Sequence, residues 1–309
     1  MNTTPHQPVL LDQVVRVLSP RALESYLDGT AGYGGHAAAI IDAIGPNGRV
    51  ILVDRDANAT RALATRWGDQ AEIMNATYLE AATRLAEDGP LVDMILLDLG
   101  VSSPQLDNAE RGFSFKADAP LDMRMDQSDS RTAADIINKY DERRLAKILR
   151  DYGEEPKANA VARAIVGARP LATTYDLAKI ARRYAAPMKD VDNATRTFQA
   201  VRIAVNDELG QLEQALPILV RLLAPGGRIA VISFHSLEDR IVKQFFETES
   251  RDCICPPKQP ICTCGHVATL RKLTFKPIIG DSTEIAINPR ARSAKLRAAE
   301  KQNQNKRSD

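Results

Sequence analysis

The first third of the chain alternates short apolar runs with helical segments, and no other feature constrains the fold as strongly. Two apolar runs end at Asp28 and Asp54, and residues 92–99 form a third, VDMILLDL, of the kind buried on both faces. Residues 36–44 and 57–67 have helical spacing between these runs. Such alternation is typical of a parallel, doubly wound sheet, so we predict an α/β fold.

The alternation stops near residue 108 and returns near residue 228. Between these points, helical patterns cover residues 141–151, 157–168 and 174–185, and no convincing buried strand is found. The simplest explanation is a helical domain inserted into the sheet. We therefore predict a first core segment, a helical insert, a second core segment and a basic C-terminal tail: residues 1–108, 109–209, 210–289 and 290–309.

A long helical stripe joins the predicted insert to the second core segment. Apolar residues recur with 3/4 spacing from residue 198 to residue 223, and Pro217 is expected to kink or split this helix. An adjacent stripe carries Gln199, Arg202 and Asn206, whereas a solvated face is usually rich in Glu and Lys. These three residues are candidates for holding a substrate, with an ordinary solvated face as the alternative.

Composition and charge narrow the class of protein. The 309 residues suffice for about two domains, and no run of ~18 apolar residues predicts a transmembrane helix. The start of the chain lacks the pattern of a signal peptide, so we expect a cytoplasmic protein. The balance of 41 basic and 40 acidic residues argues against a histone-like protein. Residues 290–309 nevertheless hold seven Lys/Arg and two acids, which could follow RNA phosphates or form a solvated, frayed end.

A glycine-rich turn, DGTAGYGGH, runs from Asp28 to His36 between a predicted strand and a predicted helix. Glycines let the backbone turn tightly and let a ligand approach the peptide atoms. Asp54 ends the next strand, where a carboxylate can accept both hydroxyls of a ribose. Together these features predict a site for a nucleoside-containing cofactor.

The choice of cofactor depends on the charges around this turn. A G-x-G-x-x-A pattern starts at Gly32 and formally fits a dinucleotide site. Three details favour S-adenosylmethionine instead. Asp28 can meet the methionine ammonium, and Gly34–Gly35 opens the loop where a pyrophosphate would need helix N–H groups. Asp98 adds a negative charge that a diphosphate would not favour; the structural alternative is a set of turn glycines and helix-capping acids.

Several long motifs follow in a fixed order. They are LDLGVSSPQ from Leu97, RGFSF from Arg111, LDMRMD from Leu121, YGEE from Tyr152, ATRTFQAVRI from Ala194, SFHSLEDR from Ser233 and NPRARSA from Asn288. Together they resemble the bacterial ribosomal small subunit methyltransferase H family, from His6 almost to the C-terminus. That family methylates the N4 amine of a cytidine in the decoding region of 16S rRNA.

The resemblance implies a fold and a partner. The fold is a Rossmann-like class I S-adenosylmethionine-dependent methyltransferase with an inserted all-helical domain. The partner is 16S rRNA or the small ribosomal subunit, and neither a membrane nor DNA is expected. Two other functions stay open on the residues alone, a nicotinamide-dependent oxidoreductase and a non-catalytic RNA- or nucleotide-binding protein.

The same resemblance assigns cofactor contacts by position in the motifs. Tyr78 stands where the family pattern usually has Phe, and its ring would lie against the adenine. Asp54 matches the ribose-binding acid. The full set of cofactor-binding residues is Asp28, Gly34, Gly35, His36, Asp54, Tyr78, Asp98 and Gln105.

Amine methyltransferases often carry an (Asp/Asn/Ser)-Pro-Pro-aromatic loop after the fourth strand, and this sequence has GVSSP there instead. We therefore predict that the substrate amine is received by backbone carbonyls or by the hydroxyls of Ser102 and Ser103, with Asp98 close by. His235 follows a strand and is a candidate to take the amine proton or contact the base. Its alternative is a hydrogen bond to its own helix start, for which Ser236 is the predicted N-cap.

Four cysteines fall within twelve residues, at Cys253, Cys255, Cys262 and Cys264. Four thiolates suffice for a tetrahedral structural zinc, although Cys-x-Cys is tighter than the usual spacing. Free thiols and a disulfide are the alternatives. Methyl transfer itself requires no metal.

Overall fold

A computed structural model describes residues 8–89, 91–189, 191–257, 259 and 261–303. The chain divides into two compact units. The sheet unit comprises Met1–Gly100 and Leu209–Asp309, and the helical unit comprises Val101–Glu208. In the part of the chain that is described, no helix is both long enough and apolar enough to cross a membrane.

The described residues of the sheet unit form a seven-stranded sheet in the order β3-β2-β1-β4-β5-β7-β6. Strands β1 to β5 pair in parallel, and β7 runs antiparallel to both of its neighbours. This mixed α/β sheet confirms the predicted fold class. The strands are β1 (Tyr26–Asp28), β2 (Val50–Asp54), β3 (Glu72–Asn75), β4 (Val92–Asp98), β5 (Leu223–Ser233), β6 (Leu270–Lys272) and β7 (Lys295–Lys301).

Both faces of the central strands are buried, as their continuous apolar character requires. In β4, Ile95 and Leu97 belong to one apolar cluster, whereas Met94 and Leu96 belong to the cluster on the opposite face. Helices cover the two faces. They are α1 (Leu11–Leu18), α2 (Gly35–Ile44), α3 (Ala57–Trp67), α4 (Tyr78–Asp88), α11 (Glu208–Leu222), α12 (Ser236–Glu249) and α13 (Ser282–Ile287).

The segment predicted as a basic tail contains an inner strand of this sheet. Strand β7 lies between β5 and β6, and its Arg297 and Lys295 bind the Asp239 carboxylate at 2.6 and 3.1 Å. The Lys301 ammonium donates to the Leu223 carbonyl at 2.6 Å. These charges stabilise the fold, so the tail prediction was wrong for residues 295–301; residues 304–309 lie outside the described part of the chain. The sequence KLRAAEK does not have the pattern of a buried strand, because four of its seven residues are charged. In the fold these charged side chains form ion pairs and hydrogen bonds.

The helical unit consists of short helices around one apolar cluster. The structure confirms the three helices predicted for the insert, with slightly different ends. The unit begins at Val101, earlier than the predicted residue 109. Its helices are α5 (Ser103–Asp107), α6 (Ala133–Lys139), α7 (Glu142–Gly153), α8 (Ala158–Gly167), α9 (Thr174–Tyr184) and α10 (Thr195–Asn206).

The long apolar stripe is divided at Asp207, not at Pro217 as predicted. Asp207 has a φ of +48° and ends α10, whereas Pro217 lies inside α11. A proline inside a helix costs about 3 kcal/mol. Three fully buried leucines on α11 offset that cost, since each contributes roughly 1.5–3 kcal/mol: Leu212, Leu216 and Leu219.

Candidate functional site

Three aspartates end three neighbouring parallel strands of the sheet unit. Asp28 ends β1, Asp54 ends β2 and Asp98 ends β4, with β1 between the other two strands. Because carboxyl ends of parallel strands meet at one edge, these side chains form a row there, which we call the aspartate row. Ligands of open α/β sheets bind in this position.

The glycine-rich turn hydrogen-bonds to all three members of the row. The Gly32 N–H donates to the Asp54 carboxylate at 2.8 Å, and the Thr30 N–H donates to that of Asp28 at 3.1 Å. The Asp98 N–H donates to the Thr30 hydroxyl at 2.6 Å. The turn is therefore held against the strand ends by short polar contacts.

Gly34 cannot carry a side chain without disturbing this turn. Its φ is +79°, and a Cβ there would lie 2.1 Å from the Trp67 ring. A Cβ on Gly35 would lie 2.7 Å from Pro8. The glycines thus allow close packing by the protein itself, which places the backbone at the start of α2 beside the aspartate row.

Burial leaves the aspartate row poorly solvated. Desolvation raises the pKa of Asp28 and of Asp54 to about 6, and raises the pKa of Asp98 to about 7. The Asp98 Oδ1 atom is buried and has no hydrogen-bond partner among the described residues. A buried acceptor without a donor is costly, and a ligand that brings an N–H group or a positive charge would relieve that cost.

His36 adjoins Asp98 from the first turn of α2. Its Nε2–H donates to the Val9 carbonyl at 2.9 Å, so the neutral ring turns an unprotonated Nδ1 toward Asp98 Oδ2 at 3.6 Å. Burial lowers the pKa of His36, which favours this neutral form. The pair consequently has room for one proton between Nδ1 and the carboxyl.

Tyr26 and Thr30 contact the row, Val9 contacts its neighbour His36, and the sequence analysis predicts none of the three. The Tyr26 hydroxyl donates to the second Asp28 oxygen at 2.8 Å and is fully buried. A signal existed for this residue, because Tyr26 precedes Asp28 by two positions on a strand and so shares its face. No comparable pattern marked Thr30 or Val9.

Tyr78 begins α4, three residues after β3 ends at Asn75. Thr77 and Glu80 form a capping box that fixes this helix start. A Cβ on Gly29 would lie 3.1 Å from the Cβ of Tyr78, so the tyrosine stands beside the glycine-rich turn. The structure therefore brings Tyr78 to the same edge of the sheet as Asp54.

His235 is the N-cap of α12, in place of the predicted Ser236. Its Nδ1 accepts the Glu238 N–H at 3.4 Å, and its Nε2 lies 3.2 Å from the Glu238 carboxylate. Both ring nitrogens thus face the helix start, which agrees with the structural alternative for this residue. Its role toward an amine proton stays a prediction.

Ser102, Ser103 and Gln105 belong to the helical unit. Ser102 is the N-cap of α5, and its N–H donates to Gln105 Oε1 at 3.1 Å. Gln105 is buried, and the Ser103 side chain lies outside the described part of the structure. The local contacts of Gln105 stabilise its own helix, and its predicted contact with the cofactor stays untested.

The three predicted substrate residues on α10 make contacts within the helical unit. Asn206 accepts the Met125 N–H at 2.9 Å and donates to the Met123 carbonyl at 2.8 Å. Arg202 forms a two-pronged ion pair with Glu208 at 2.8 and 2.9 Å. Gln199 donates to the Tyr152 carbonyl at 2.9 Å. These contacts explain the polar stripe by packing, without a solvated face.

The four cysteines come together in space. Each is a free thiol, and their sulfur atoms lie within 4.8 Å of one another. They occupy the segment between α12 and β6 of the sheet unit.

Several known proteins are similar to this chain. The model of the MraW methylase family matches residues 3–302. The ribosomal RNA small subunit methyltransferase H of Heliobacterium modesticaldum is 52% identical over 308 residues, covering 96% of this chain and 98% of that protein. The protein of the same name from Geobacter sulfurreducens is 50% identical, covering 97% of this chain and 99% of that protein. A solved rRNA methylase from Streptococcus thermophilus covers 95% of this chain and 94% of its own, at 10% identity and a TM-score of 0.42.

Proposed function

Because the chain belongs to the MraW methylase family, we propose that it methylates the N4 amine of a cytidine in 16S rRNA. The methyl donor is S-adenosylmethionine. Relatives about 50% identical over nearly the whole chain carry the name ribosomal RNA small subunit methyltransferase H, which supports an rRNA substrate. We further propose the decoding region of the small subunit as the target and the cytoplasm as the location.

The observation that carries this proposal is the buried, unpartnered Oδ1 atom of Asp98 in a row of three poorly solvated carboxyls. S-adenosylmethionine has a sulfonium and an ammonium, so a row of carboxylates would attract it. A nicotinamide dinucleotide would bring a diphosphate to the same edge and be repelled. The charge of the site therefore favours methyl transfer over the oxidoreductase that the glycine pattern alone permits.

We assign the cofactor contacts as follows. Asp54 accepts the ribose hydroxyls, and Tyr78 lies against the adenine. The backbone of Gly34, Gly35 and His36 borders the methionine portion, whose ammonium faces Asp28 and Asp98. Gln105 stays in the set as a prediction from the family resemblance.

When bound, S-adenosylmethionine supplies a methyl group on a positively charged sulfur, which is a good leaving group. The protein must position the acceptor, because the lone pair of cytosine N4 is delocalised into the ring and is a poor nucleophile. Hydrogen-bond acceptors that hold the two N–H bonds would turn the lone pair toward the methyl carbon. Attack by the amine nitrogen would form the new N–C bond as the C–S bond breaks, and the proton released from that nitrogen would pass to solvent or to a side-chain acceptor, for which His235 is the candidate.

We propose that backbone carbonyls after β4 or the hydroxyls of Ser102 and Ser103 receive the amine, together with Asp98. His235 is the weaker candidate, because its Nδ1 already accepts the Glu238 N–H at 3.4 Å. A double Ser102→Ala, Ser103→Ala variant distinguishes the serine hydroxyls from the backbone carbonyls as the acceptors of the amine. Full turnover in that variant would leave only the backbone carbonyls and Asp98.

The RNA side of the reaction is assigned to the helical unit. A stacked cytidine must leave its helix before its amine can reach a cofactor at the end of a sheet. Gln199, Arg202 and Asn206 stay predicted contacts to the extruded base. Since Asn206 and Arg202 already have protein partners, their effect on substrate binding would act through the position of α10.

Two measurements test the proposal. Calorimetry with S-adenosylmethionine and with NAD should show binding of the former alone. Mass spectrometry of 16S rRNA nucleosides from cells with and without this gene should show loss of an N4-methylated cytidine in the deletion strain. Complementation with the wild-type gene should restore it, and complementation with Asp98→Asn should not.

Other outcomes contradict specific parts of the proposal. An unchanged nucleoside profile would exclude this rRNA as substrate. Loss of a carbon-methylated cytidine would keep the methyltransferase but exclude the N4 position. Incubation of purified protein with free 16S rRNA and with assembled subunits would then distinguish the two forms of substrate.

A further inference from the structure

The segment that joins α12 to β6, residues 250–269, is held at its base by hydrogen bonds; we call it the Cys loop. The Thr269 N–H donates to the Glu249 carbonyl at 2.9 Å. His266 Nε2 donates to the Thr248 carbonyl at 3.0 Å. These contacts fix the two ends of the loop to α12 but leave its tip unsupported.

The tip has no apolar core. Among the described residues from 251 to 267, none is buried. Ile254 and Ile261 remain 47% and 73% exposed, so the burial of apolar side chains does not fix the conformation of this part of the loop. Segments too small to build a core are usually stabilised by a disulfide or by a metal ion.

The four thiols of the Cys loop meet at its tip. Cys262 Sγ lies 3.4 Å from Cys253 Sγ, 4.0 Å from Cys255 Sγ and 3.6 Å from Cys264 Sγ. The sulfurs of Cys253 and Cys264 are 3.9 Å apart. Zinc–thiolate bonds of ~2.3 Å in a regular tetrahedron separate the sulfurs by ~3.8 Å, which matches these distances. A disulfide would instead require two sulfurs at ~2.05 Å.

Backbone N–H groups also point at two of the sulfurs. The Thr263 N–H donates to Cys255 Sγ, and the His266 N–H donates to Cys264 Sγ, both at 3.5 Å. Such bonds stabilise thiolates and orient them, as the outer contacts of a metal site do. They lie beside the second Cys-x-Cys pair, where the chain has to turn back toward α12.

We propose that Cys253, Cys255, Cys262 and Cys264 bind one structural zinc ion. Four thiolates complete the coordination of zinc and leave no position open for a substrate, so the site is structural and separate from methyl transfer. His266 is not assigned as a ligand, because four thiolates already complete the coordination of zinc and the group of ligand atoms that lie within 4.8 Å of one another contains the four cysteines without His266. A cluster of several irons would hold the sulfurs farther apart than a single ion does. The ion takes over the role that an apolar core would have in this loop.

The test uses the full chain, purified in a reducing buffer without chelator. Elemental analysis should find one zinc per chain, and all four thiols should resist a thiol reagent until the metal is removed. Protein stripped of metal should take up one Zn²⁺ in competition with a chromophoric chelator. Addition of Co²⁺ should produce the absorption of a tetrahedral tetrathiolate site.

Two variants form a matched pair within the loop. Cys262→Ser should lose the metal and should be cut rapidly by trypsin after Arg251, a residue at the start of the exposed stretch. His266→Gln should keep one zinc and the wild-type cleavage rate with zinc present. Calorimetry with S-adenosylmethionine should give the same affinity for both variants as for the wild type, because the aspartate row is untouched.

Several results would overturn the proposal. Stripped protein that takes up no zinc from the chelator would exclude the site. A mass lower by two or four hydrogens, with thiols unreactive in the absence of metal, would establish disulfides instead. Iron rather than zinc in the purified protein would contradict the assignment of the ion. Loss of metal in His266→Gln would contradict the assignment of the four cysteines as the only ligands.

Discussion

The aspartate row of the sheet unit and the end of α10 in the helical unit both place polar side chains in buried surroundings, but they differ in hydrogen bonding. Asn206 uses its amide oxygen and nitrogen on Met125, Met123 and Arg202. Asp98 keeps a buried oxygen without a partner among the described residues. Buried polar groups normally have hydrogen-bond partners, so the contacts of Asn206 are sufficient for folding, whereas Asp98 keeps an acceptor that the proposed ligand can use. Residue type alone did not separate the two cases.

The largest effect is expected from Gly34→Ala, with Gly45→Ala as its control. Both glycines have nearly the same φ, +79° and +77°, but only a Cβ at position 34 meets another atom, Trp67 at 2.1 Å. The two glycines differ in ψ, which is 30° at Gly34 and 178° at Gly45, and the control should cost about 1–3 kcal/mol because residues with a Cβ rarely adopt its backbone conformation. Gly34→Ala should cost about 3–5 kcal/mol, because overpacking adds to the strain, and should abolish binding of S-adenosylmethionine.

Chemical denaturation and calorimetry measure these two effects. Equal losses of stability in the two variants would mean that the glycine-rich turn is not packed as tightly as the site requires. If Gly34→Ala bound S-adenosylmethionine with wild-type affinity, the glycine-rich turn would not be part of the cofactor site.

Asp98→Asn should weaken binding of S-adenosylmethionine by about 100-fold, since it removes a negative charge from a poorly solvated carboxyl close to the proposed ammonium. Asp42→Asn, at an exposed position of α2, is the matched control and should bind normally. Calorimetry and methyl incorporation check both variants. Retained affinity in Asp98→Asn would show that Asp98 does not face the cofactor.

The same variant should be more stable than the wild type when no ligand is present. Burial raises the folded pKa of Asp98 to about 7, above the ordinary aspartate value of 3.8, so this carboxyl increasingly destabilises the fold as pH rises from about 4 to 7. Asp98→Asn should therefore gain about 2 kcal/mol at pH 8, a value discounted because the side chain keeps 27% exposure, and nothing at pH 4. Thermal unfolding at the two pH values provides the measurement, and a loss of stability at pH 8 would contradict the assigned cause.

The sequence predicted the elements that depend on local pattern. The parallel strands β1, β2, β4 and β5, the insert helices α7, α8 and α9, and the row of Asp28, Asp54 and Asp98 follow from apolar periodicity and from where each strand ends. Strand β3 was missed because it is a half-exposed edge strand without an apolar run. Strand β7 was missed because its charges are neutralised by Asp239, a partner 56–58 residues away along the chain.

Polar roles were harder to predict because they depend on which partner is nearby. Asn206 and Gln199 were chosen as substrate residues because their stripe lacked Glu and Lys, yet backbone carbonyls of Met123 and Tyr152 account for that choice of residues. His235 lies next to the start of its helix, as expected. The predicted N-cap, Ser236, is one position too late, because His235 itself is the N-cap. A sequence shows that a side chain can form hydrogen bonds. Only the fold shows whether other groups of the protein already occupy its donors and acceptors.

Asn206→Ala tests the fully bonded side of the comparison. It removes buried hydrogen bonds to Met123 and Met125, so it should lower the free energy of unfolding by about 2 kcal/mol. Gln199→Ala, which loses one bond to the Tyr152 carbonyl, should cost about 1 kcal/mol. Denaturation measures both, and KM for rRNA at a temperature where both variants are folded separates packing from substrate contact. An increase in KM without a loss of stability would support Asn206 as a contact to the RNA base.

The smallest effect concerns pH, and it tests whether the aspartate row is incomplete without a cation. Burial raises the pKa of Asp98 to about 7, so much of this carboxyl is protonated below pH 7 in the free protein. A cationic cofactor requires the ionised form and must expel that proton, which makes its affinity fall as pH falls. Between pH 8 and pH 6 the Kd for S-adenosylmethionine should rise about tenfold, since one proton per site costs a factor of ten per pH unit below the pKa. Calorimetry in buffers of different ionisation enthalpy counts the protons released, and Asp98→Asn should flatten the profile. A Kd independent of pH would mean that Asp98 is already ionised in the free protein. Asp98 would then differ from Asn206 only in the hydrogen bond that its Oδ1 atom lacks among the described residues.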